Sequence, residues 1–402
     1  MASVLPFAAV LAGQHAAQVA TLPYDVMNRS EAAAMAKGNP LSFLRVTRSE
    51  IDLPEDVNPY DSAVYAKAAE TWQDFRKTTL QRDDLESYYV YSLVMNGRRQ
   101  TGVVATPTVD DYDRDIIRKH ERTRKEKEDD RTRHISTLRA QTGPVFLTYR
   151  DDAAIDAIVD RTMTGPPLFD FTASDGIRHS GWRVAASDTA AMRQAFAKVP
   201  VLYIADGHHR AASASRTYAA LTAAGKPGRS DRFLTVIFPA GQVRILPYNR
   251  VVFDLHGLTP AAFKAELAKV AKVKPATSAT PDRPGTVCMY LEKTWWTLEF
   301  AMDPVASPID ALDVSILQNR VLQPLLGIDD PRTCQRIDFV GGIRGVGELE
   351  QRVNNGEAAV AFSMYPTTVE QLMAIADAGQ VMPPKSTWFE PKLRDGLFVH
   401  EI

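Results

Sequence analysis

The sequence predicts an α+β protein with more than one domain, and two observations support this prediction. The chain has 402 residues, which exceeds the roughly 100–200 residues of a typical domain. Segments that read as strands are interspersed with segments whose apolar residues recur at helical spacing, and no internal repeat is visible. We therefore expect three α+β regions, at residues 1–108, 109–250 and 251–402.

The first region is predicted to contain a helix followed by a β-hairpin. Residues 62–80, SAVYAKAAETWQDFRKTTL, place apolar side chains at the spacing of one helix face. Residues 88–95 and 98–105 are strand-like and flank Asn96-Gly97, a dipeptide typical of two-residue hairpin turns. These two strands should pair.

The second region begins with an intensely charged segment, residues 109–141, which we interpret as a helix. Residues 144–149 predict a short strand, and residues 200–225 predict a strand, a turn and an alanine-rich helix. Strands at residues 233–238 and 243–252 are expected to continue the same sheet across a turn at Pro239-Ala240-Gly241.

The third region is predicted to contain a helix at residues 258–273 and two strands within residues 286–300, around a turn at Lys293-Thr294. Residues 382–400 combine proline, lysine and aromatic residues, so we expect a docked extended segment there rather than a terminal helix.

The composition argues against several classes of protein. Lys and Arg total 47 and Asp and Glu total 49, and this balance provides no positive field for coating DNA, so we expect no nucleic-acid partner. Two cysteines exclude a disulfide scaffold or a thiolate zinc site. No apolar stretch is long enough to cross a bilayer, and the N-terminus lacks a basic leader, so the expected location is the cytoplasm.

The most informative local signal is Asp206-Gly207-His208-His209-Arg210, between an apolar strand and the alanine-rich helix. The first turn of a helix has free N–H donors and partial positive charge, and glycine permits close approach of a ligand to the backbone. The turn and its cationic side chains therefore predict a phosphate site. Asp206 would repel a bare phosphate, which leaves it three roles: capping the helix, holding a magnesium ion or orienting a histidine. The alternative is an ordinary helix cap with histidines in structural contacts.

Glu121 is the candidate catalytic base, because neighbouring cations and a bound phosphate could tune its pKa. The alternative is that Glu121 forms a surface ion pair with Lys125, as one of a series of such pairs along a helix. His120 and Arg124 are candidate substrate contacts. Arg178 and His179 form a weaker candidate group, which could line a pocket or edge a strand.

A further polar cluster, in TLPYDVMNRSEA, is better explained by structure than by chemistry. Asn28 and Ser30 are residue types that cap helices, so a helix start is expected there.

Four segments, PYDVMNRSEA, KHERTRKEKEDDR, YIADGHHRAASA and MPPKSTWFEPKL, together resemble the signature blocks of the domain-of-unknown-function 1015 family. YIADGHHR also resembles the phosphate-binding motif of the ParB and sulfiredoxin superfamily, in which free serine kinases carry a very similar Asp-Gly-His-His-Arg turn. The resemblance implies a ParB/sulfiredoxin-like nucleotide-binding core within residues 109–250. These kinases place a catalytic glutamate upstream of the turn, which implies that role for Glu121.

The resemblance implies transfer of a phosphoryl group between a nucleotide and a small hydroxyl metabolite, with free L-serine as the expected acceptor. ATP or ADP would be the donor and Mg²⁺ the cofactor, with Glu121, Asp206 and His208 as catalytic residues. Two alternatives use the same site: a nucleotide-binding regulatory module without turnover, and a phosphoserine phosphohydrolase with water as acceptor.

Overall fold

The computed structural model describes all 402 residues, and helices and strands are mixed along the chain as the predicted α+β class requires. The chain forms two compact units: unit 1 contains residues 1–243 and 391–402, and unit 2 contains residues 244–390. This division differs from the three expected regions, because residues 1–108 and 109–243 contribute strands to one sheet. No helix in either unit is both long and apolar enough to span a bilayer.

Unit 1 contains nine α-helices and thirteen strands. Its helices are α1 Ala16–Val19, α2 Arg29–Ala36, α3 Leu44–Thr47, α4 Ser62–Thr78, α5 Val109–Asp113, α6 Lys125–Leu138, α7 Ala153–Thr162, α8 Thr189–Phe196 and α9 His208–Ala223. Its strands are β1 Val4–Leu5, β2 Val10–Leu11, β3 Gln81–Arg82, β4 Tyr89–Met95, β5 Arg98–Pro107, β6 Ile117–Arg118, β7 Ala140–Gln141, β8 Val145–Tyr149, β9 Phe169–Thr172, β10 Arg178–Arg183, β11 Leu202–Asp206, β12 Thr235–Pro239 and, at the C-terminus, β21 Phe398–Glu401.

A mixed nine-stranded sheet organises unit 1. Its strand order is β6-β11-β8-β12-β5-β4-β10-β9, and β1 pairs with β5 beside this path. β11 runs parallel to β6 and antiparallel to β8. Val90, Leu147, Ile204 and Ile237 belong to the core on this sheet and are fully buried. The apolar residues of β11 thus fix the position of the turn that follows it.

A smaller antiparallel sheet holds the C-terminus within unit 1. Its order is β3-β2-β21-β7, so the last strand of the chain lies between β2 near the N-terminus and β7. Residues 391–397, which precede β21, are thereby fixed in unit 1.

Unit 2 is built on a six-stranded antiparallel sheet of order β15-β17-β16-β19-β14-β18. Its strands are β13 Ile245–Leu246, β14 Tyr248–Val252, β15 Lys272–Pro275, β16 Thr286–Leu291, β17 Thr294–Glu299, β18 Ile337–Gly341, β19 Val360–Met364 and β20 Trp388–Phe389. Its helices are α10 Pro260–Val270, α11 Asp313–Leu317, α12 Gly345–Asn354 and α13 Val369–Asp377. β13 and β20 form a separate two-stranded sheet. Val251, Tyr290, Leu349 and Ala361 contribute to the core of this unit.

Several local predictions are confirmed. α4 forms where the helical spacing predicts it, and β4 and β5 pair antiparallel across Asn96-Gly97, both of which have positive φ. The Asn28 side chain accepts a hydrogen bond from the Glu31 N–H at 2.9 Å, and the Glu31 side chain accepts one at 2.8 Å from the Asn28 N–H. Asn28 is therefore a helix cap, as expected.

The prediction of a single helix over residues 109–141 is wrong. The segment folds as α5, β6, a loop at residues 119–124, α6 and β7. Ile117 is the first residue of β6, which pairs with β11, and it is fully buried in the core, so it belongs to a strand rather than to one face of a helix. Glu121 consequently lies in a loop.

The expected continuation of one sheet across residues 233–252 is also wrong. β12 belongs to the nine-stranded sheet of unit 1, whereas β14 belongs to the sheet of unit 2. The C-terminal tail is extended as predicted, but it divides: β20 lies in unit 2 and residues 391–402 lie in unit 1.

Candidate functional site

The turn between β11 and α9 has the geometry that the sequence predicts. Gly207 adopts φ +94°, a left-handed conformation that favours glycine, and α9 begins at the next residue. No side chain caps α9, and its first hydrogen bond runs from the Ala211 N–H to the Gly207 carbonyl at 3.1 Å. The helix has 16 residues. Its uncapped N-terminus, with its partial positive charge, can accept an anion.

Asp206 does not cap the helix but lies between two cations. Its Oδ2 is 3.1 Å from the Lys392 ammonium, and its Oδ1 is 3.9 Å from the Arg210 guanidinium. Burial alone would raise the pKa of Asp206, but Lys392 and Arg210 together hold it well below its usual range. Asp206 is therefore an ionised partner of both cations.

These surroundings do not fit a magnesium ion held by the protein. No group of three or more His, Cys, Asp or Glu side chains that could hold a metal occurs in the chain. Asp206 is a single carboxylate already neutralised by Lys392, whereas Mg²⁺ needs several oxygen ligands in octahedral geometry. The expected role of Asp206 as a metal ligand is therefore not supported by its neighbours.

The two histidines of the turn hold the loop at residues 119–124. The Nε2 atom of His208 accepts a long hydrogen bond from the His120 N–H at 3.4 Å. The Nε2 atom of His209 accepts from the Arg124 N–H at 3.0 Å. Because adjacent helical residues point in different directions, each histidine binds a different end of the same loop.

Both buried histidines at this contact are neutral near pH 7. The His120 ring lies edge-to-face on the His208 ring at 4.5 Å. Burial lowers the pKa of each imidazole to about 3. His208 therefore brings hydrogen-bonding capacity to the turn but no positive charge, in contrast to the expected cationic cradle.

Glu121 lies beside the turn. Its side chain is 44% exposed, and its Oε2 is 3.6 Å from Nδ1 of His208. Since Nε2 of His208 accepts a hydrogen bond, we assign the proton of the neutral ring to Nδ1, which faces Glu121. Lys125, the expected ion-pair partner of Glu121, pairs instead with Asp129 on α6. Glu121 is thus open to solvent and lies beside Nδ1 of His208, at a separation longer than a hydrogen bond.

Arg210 supports the turn from inside. Its side chain is 9% exposed, and Nη1 donates a hydrogen bond to the Pro144 carbonyl. A Cβ atom on Gly207 would lie 3.0 Å from its Nε, so the guanidinium packs directly against the turn. The Nε atom is buried and has no hydrogen-bond partner.

A small cavity adjoins Arg210. Its volume is about 30 Å³, and its lining includes Tyr24, Arg131, Gly143 and Asp395. That volume suffices for about two water molecules. Burial raises the pKa of Asp395 to about 7, and its Oδ1 has no hydrogen-bond partner.

The weaker substrate candidates, Arg178 and His179, do not contact the turn. The Arg178 guanidinium pairs with Asp170 at 2.6 Å on the surface. His179 is fully buried, and its Nδ1 is 2.7 Å from the Tyr91 hydroxyl. On its other side, Nε2 of His179 is 3.3 Å from Nε of Arg394, which also pairs with Asp175. These contacts are those of a structural network.

The C-terminal segment contributes to the site, and no sequence pattern indicated this contribution. Lys392 contacts Asp206, Arg394 contacts His179, and Asp395 borders the cavity beside Arg210. The resemblance block MPPKSTWFEPKL contains Lys392, but its position 186 residues after Asp206 gave no indication of the contact. The structure therefore brings together Glu121, the Asp206–Arg210 turn and Lys392.

The chain belongs to the DUF1015 family, described as protein of unknown function, whose sequence profile matches residues 4–315. No curated protein matches the chain. Among solved structures, it is similar to a free serine kinase variant in complex with AMP, with 13% identity and a TM-score of 0.35, covering 72% of this chain and 86% of that chain. SbnI with a C-terminal truncation from Staphylococcus aureus has 12% identity and a TM-score of 0.38, covering 71% and 82%. A conserved hypothetical protein from Pyrococcus furiosus has 13% identity and a TM-score of 0.35, covering 75% and 94%.

Proposed function

We propose that this protein transfers a phosphoryl group between a nucleotide and a small hydroxyl metabolite, with free L-serine as the acceptor. The observation that carries the proposal is the contact between Glu121 and His208. It places an exposed carboxylate, 3.6 Å from the first residue of α9, beside an uncapped helix N-terminus. A proton acceptor and a helix N-terminus that can bind phosphate are therefore adjacent.

The chemistry requires positioning more than covalent participation of the protein. The N–H groups at the start of α9 would bind the transferred phosphate. The hydroxyl oxygen of serine forms a bond to phosphorus as the bond from phosphorus to the leaving nucleotide oxygen breaks. The hydroxyl proton passes to Glu121. With ATP as donor, the products are ADP and O-phosphoserine.

The roles of the other residues follow from their contacts. Nδ1 of His208 faces Glu121 at 3.6 Å, and His209 fixes the loop that carries Glu121 by accepting the Arg124 N–H. Arg210 supports the turn from beneath. His120 packs on the His208 ring, so its contribution is to position His208 rather than to bind substrate.

The choice of nucleotide and serine rests on the sequence of the turn. Asp206-Gly207-His208-His209-Arg210 is very similar to the turn of free serine kinases, which phosphorylate the hydroxyl of free serine. ATP and ADP are both proposed as donors, each supplied as its magnesium salt.

The test is incubation of the purified chain with L-serine and either MgATP or MgADP, with phosphoserine detected by ³¹P NMR and mass spectrometry. Formation of phosphoserine with one donor supports the proposal. Release of inorganic phosphate from phosphoserine without nucleotide would instead identify a phosphohydrolase. Nucleotide binding without any product would identify a non-catalytic module, and either result overturns the proposed kinase.

A further inference from the structure

We propose that Lys392 is a ligand of the phosphate bound at the turn, so that the C-terminal segment completes the site. This inference rests on the proposed function, because it assumes that a phosphate occupies the start of α9. Lys392 lies outside the Asp206–Arg210 turn motif.

The position of Lys392 supports this role. Its Nζ lies 3.1 Å from Oδ2 of Asp206, the residue directly before Gly207. Its side chain is only 15% exposed, so the ammonium is held against the protein at the start of the turn. An ammonium has three donors, so Lys392 can keep its bond to Asp206 while donating to a phosphate oxygen.

The chain fixes Lys392 in place before any ligand arrives. Three residues later, Asp395 exchanges two backbone hydrogen bonds with Thr21, at 3.2 and 2.9 Å. β21 then pairs with β2 and β7. Because this segment is already ordered, little conformational entropy is lost when Lys392 binds a phosphate.

The charges at the turn create the need for such a cation. A phosphate at the start of α9 would bring negative charge close to Asp206, which is ionised. His208 is neutral, because burial lowers its pKa to about 3. Lys392 and Arg210 are therefore the cations beside Asp206 that can offset the repulsion.

Arg210 gives an independent indication that a ligand belongs here. Its guanidinium packs against Gly207, yet its buried Nε atom has no hydrogen-bond partner. Buried donors are normally paired, so this one marks a site that awaits an acceptor. Arg210 contributes from beneath the turn and Lys392 from the side of Asp206.

The experiment measures binding of ADP and of inorganic tripolyphosphate to the full chain by calorimetry, without serine. Lys392→Met should weaken the affinity for both at least tenfold, and Lys392→Arg should retain most of it. The control is Lys125→Met, which removes the same charge from an ammonium that is 87% exposed on α6 and should change affinity less than twofold.

A double-mutant cycle separates a phosphate ligand from a simple partner of Asp206. If Lys392 binds phosphate, Lys392→Met should still cost at least tenfold in affinity when added to Asp206→Asn. If Lys392 only neutralises Asp206, adding Lys392→Met to Asp206→Asn should change nothing, and the inference is overturned. Thermal unfolding of each variant verifies that it is folded, and the Asp206→Asn background relieves any instability caused by an unpaired carboxylate.

The outcomes distinguish this inference from the proposed function. Lys392-dependent binding of ADP without formation of phosphoserine would refute the kinase while supporting the phosphate ligand. Turnover of serine by the wild-type chain, together with unchanged ADP affinity in Lys392→Met, would support the kinase and refute Lys392 as a phosphate ligand. Failure of the wild-type chain to bind either ADP or tripolyphosphate would overturn the role of Lys392.

Discussion

Two features of Gly207, its backbone conformation and the close approach of Arg210, each disfavour a side chain at this position. Its φ of +94° disfavours any residue with a Cβ, and that Cβ would lie 3.0 Å from Nε and 3.1 Å from Cζ of Arg210. Gly225, just after α9, has φ +68°, but nothing lies within 4 Å of the place that a Cβ would occupy there. The two glycines at the ends of one helix therefore separate backbone strain from steric conflict.

We expect Gly225→Ala to destabilise the protein by about 1 kcal/mol, the usual cost of a left-handed non-glycine residue. Gly207→Ala should cost at least about 1 kcal/mol more, because it also displaces the buried Arg210 guanidinium. Chemical denaturation of both variants measures the difference in the free energy of unfolding. Equal losses would mean that Arg210 moves aside freely.

Glu121 is the residue on which the proposed chemistry depends most directly. Glu121→Gln should leave ADP affinity nearly unchanged and lower turnover by about 100-fold to 10,000-fold, the usual contribution of a positioned base. The measurements are steady-state phosphoserine formation and calorimetric ADP binding on the same variant. Glu126→Gln, an exposed change on α6, serves as the control. Turnover of Glu121→Gln within tenfold of wild type would assign the proton acceptor elsewhere.

The sequence predicts the turn but not the residues that contact it. Asp206 to Arg210 are consecutive, and a strand, a glycine and a helix must follow one another for the motif to work. Lys392 reaches Asp206 across 186 positions. No local pattern encodes a contact that depends on where β21 pairs.

The loop at residues 119–124 shows why the charged segment does not form one helix. Four of its six residues, Lys and Glu among them, are good helix formers, but β6 pairs with β11 before the loop and α6 starts only at Lys125. The loop conformation is set by acceptors on α9, namely the Nε2 atoms of His208 and His209. Tertiary hydrogen bonds therefore override the local propensity.

His209→Ala should loosen this loop, because it removes the acceptor 3.0 Å from the Arg124 N–H. We expect faster hydrogen exchange across residues 119–124, by about tenfold, which corresponds to the loss of about 1.4 kcal/mol of local stability. Hydrogen-exchange mass spectrometry measures this directly. His256→Ala, in unit 2, is the control, and unchanged exchange in His209→Ala would show that other contacts hold the loop.

For the whole molecule, the α+β class was predictable because strand and helix patterns are local, whereas the division into units was not. The short turn after β12 looks like a hairpin connection, yet β12 and β14 lie in different sheets. Unit 1 also includes residues 391–402, which follow the whole of unit 2 in the sequence. Sheet membership depends on pairing between distant segments, which the alternation of residue types does not specify.

The two units differ in their buried titratable groups. Burial lowers the pKa of five buried histidines in unit 1, to about 3 for His120, His179 and His208 and to about 4 for His134 and His400. In unit 2, burial raises the pKa of Asp313 to about 6. A histidine with a lowered pKa stabilises the fold above its unfolded pKa of about 6.5 and loses that contribution as the pH falls. A carboxyl with a raised pKa behaves oppositely, because its contribution is lost as the pH rises through the folded value.

Acidification from pH 7 to pH 5 should therefore destabilise unit 1 while slightly stabilising unit 2. Each buried histidine costs up to about 2 kcal/mol over this interval, and in unit 1 the raised pKa of Asp395, about 7, offsets only one of the five. Thermal unfolding of the full chain, monitored by hydrogen exchange in peptides of each unit, should show that unit 1 unfolds at a temperature at least about 5 °C lower at pH 5 than at pH 7.

The variant His400→Gln can still donate to the Arg229 carbonyl, which lies 3.2 Å from Nε2 of His400. It should reduce the loss of stability of unit 1 on acidification by up to about 2 kcal/mol. Asp313→Asn should abolish the opposite trend in unit 2, and equal stability of unit 1 at both pH values would contradict the assignment of neutral buried histidines.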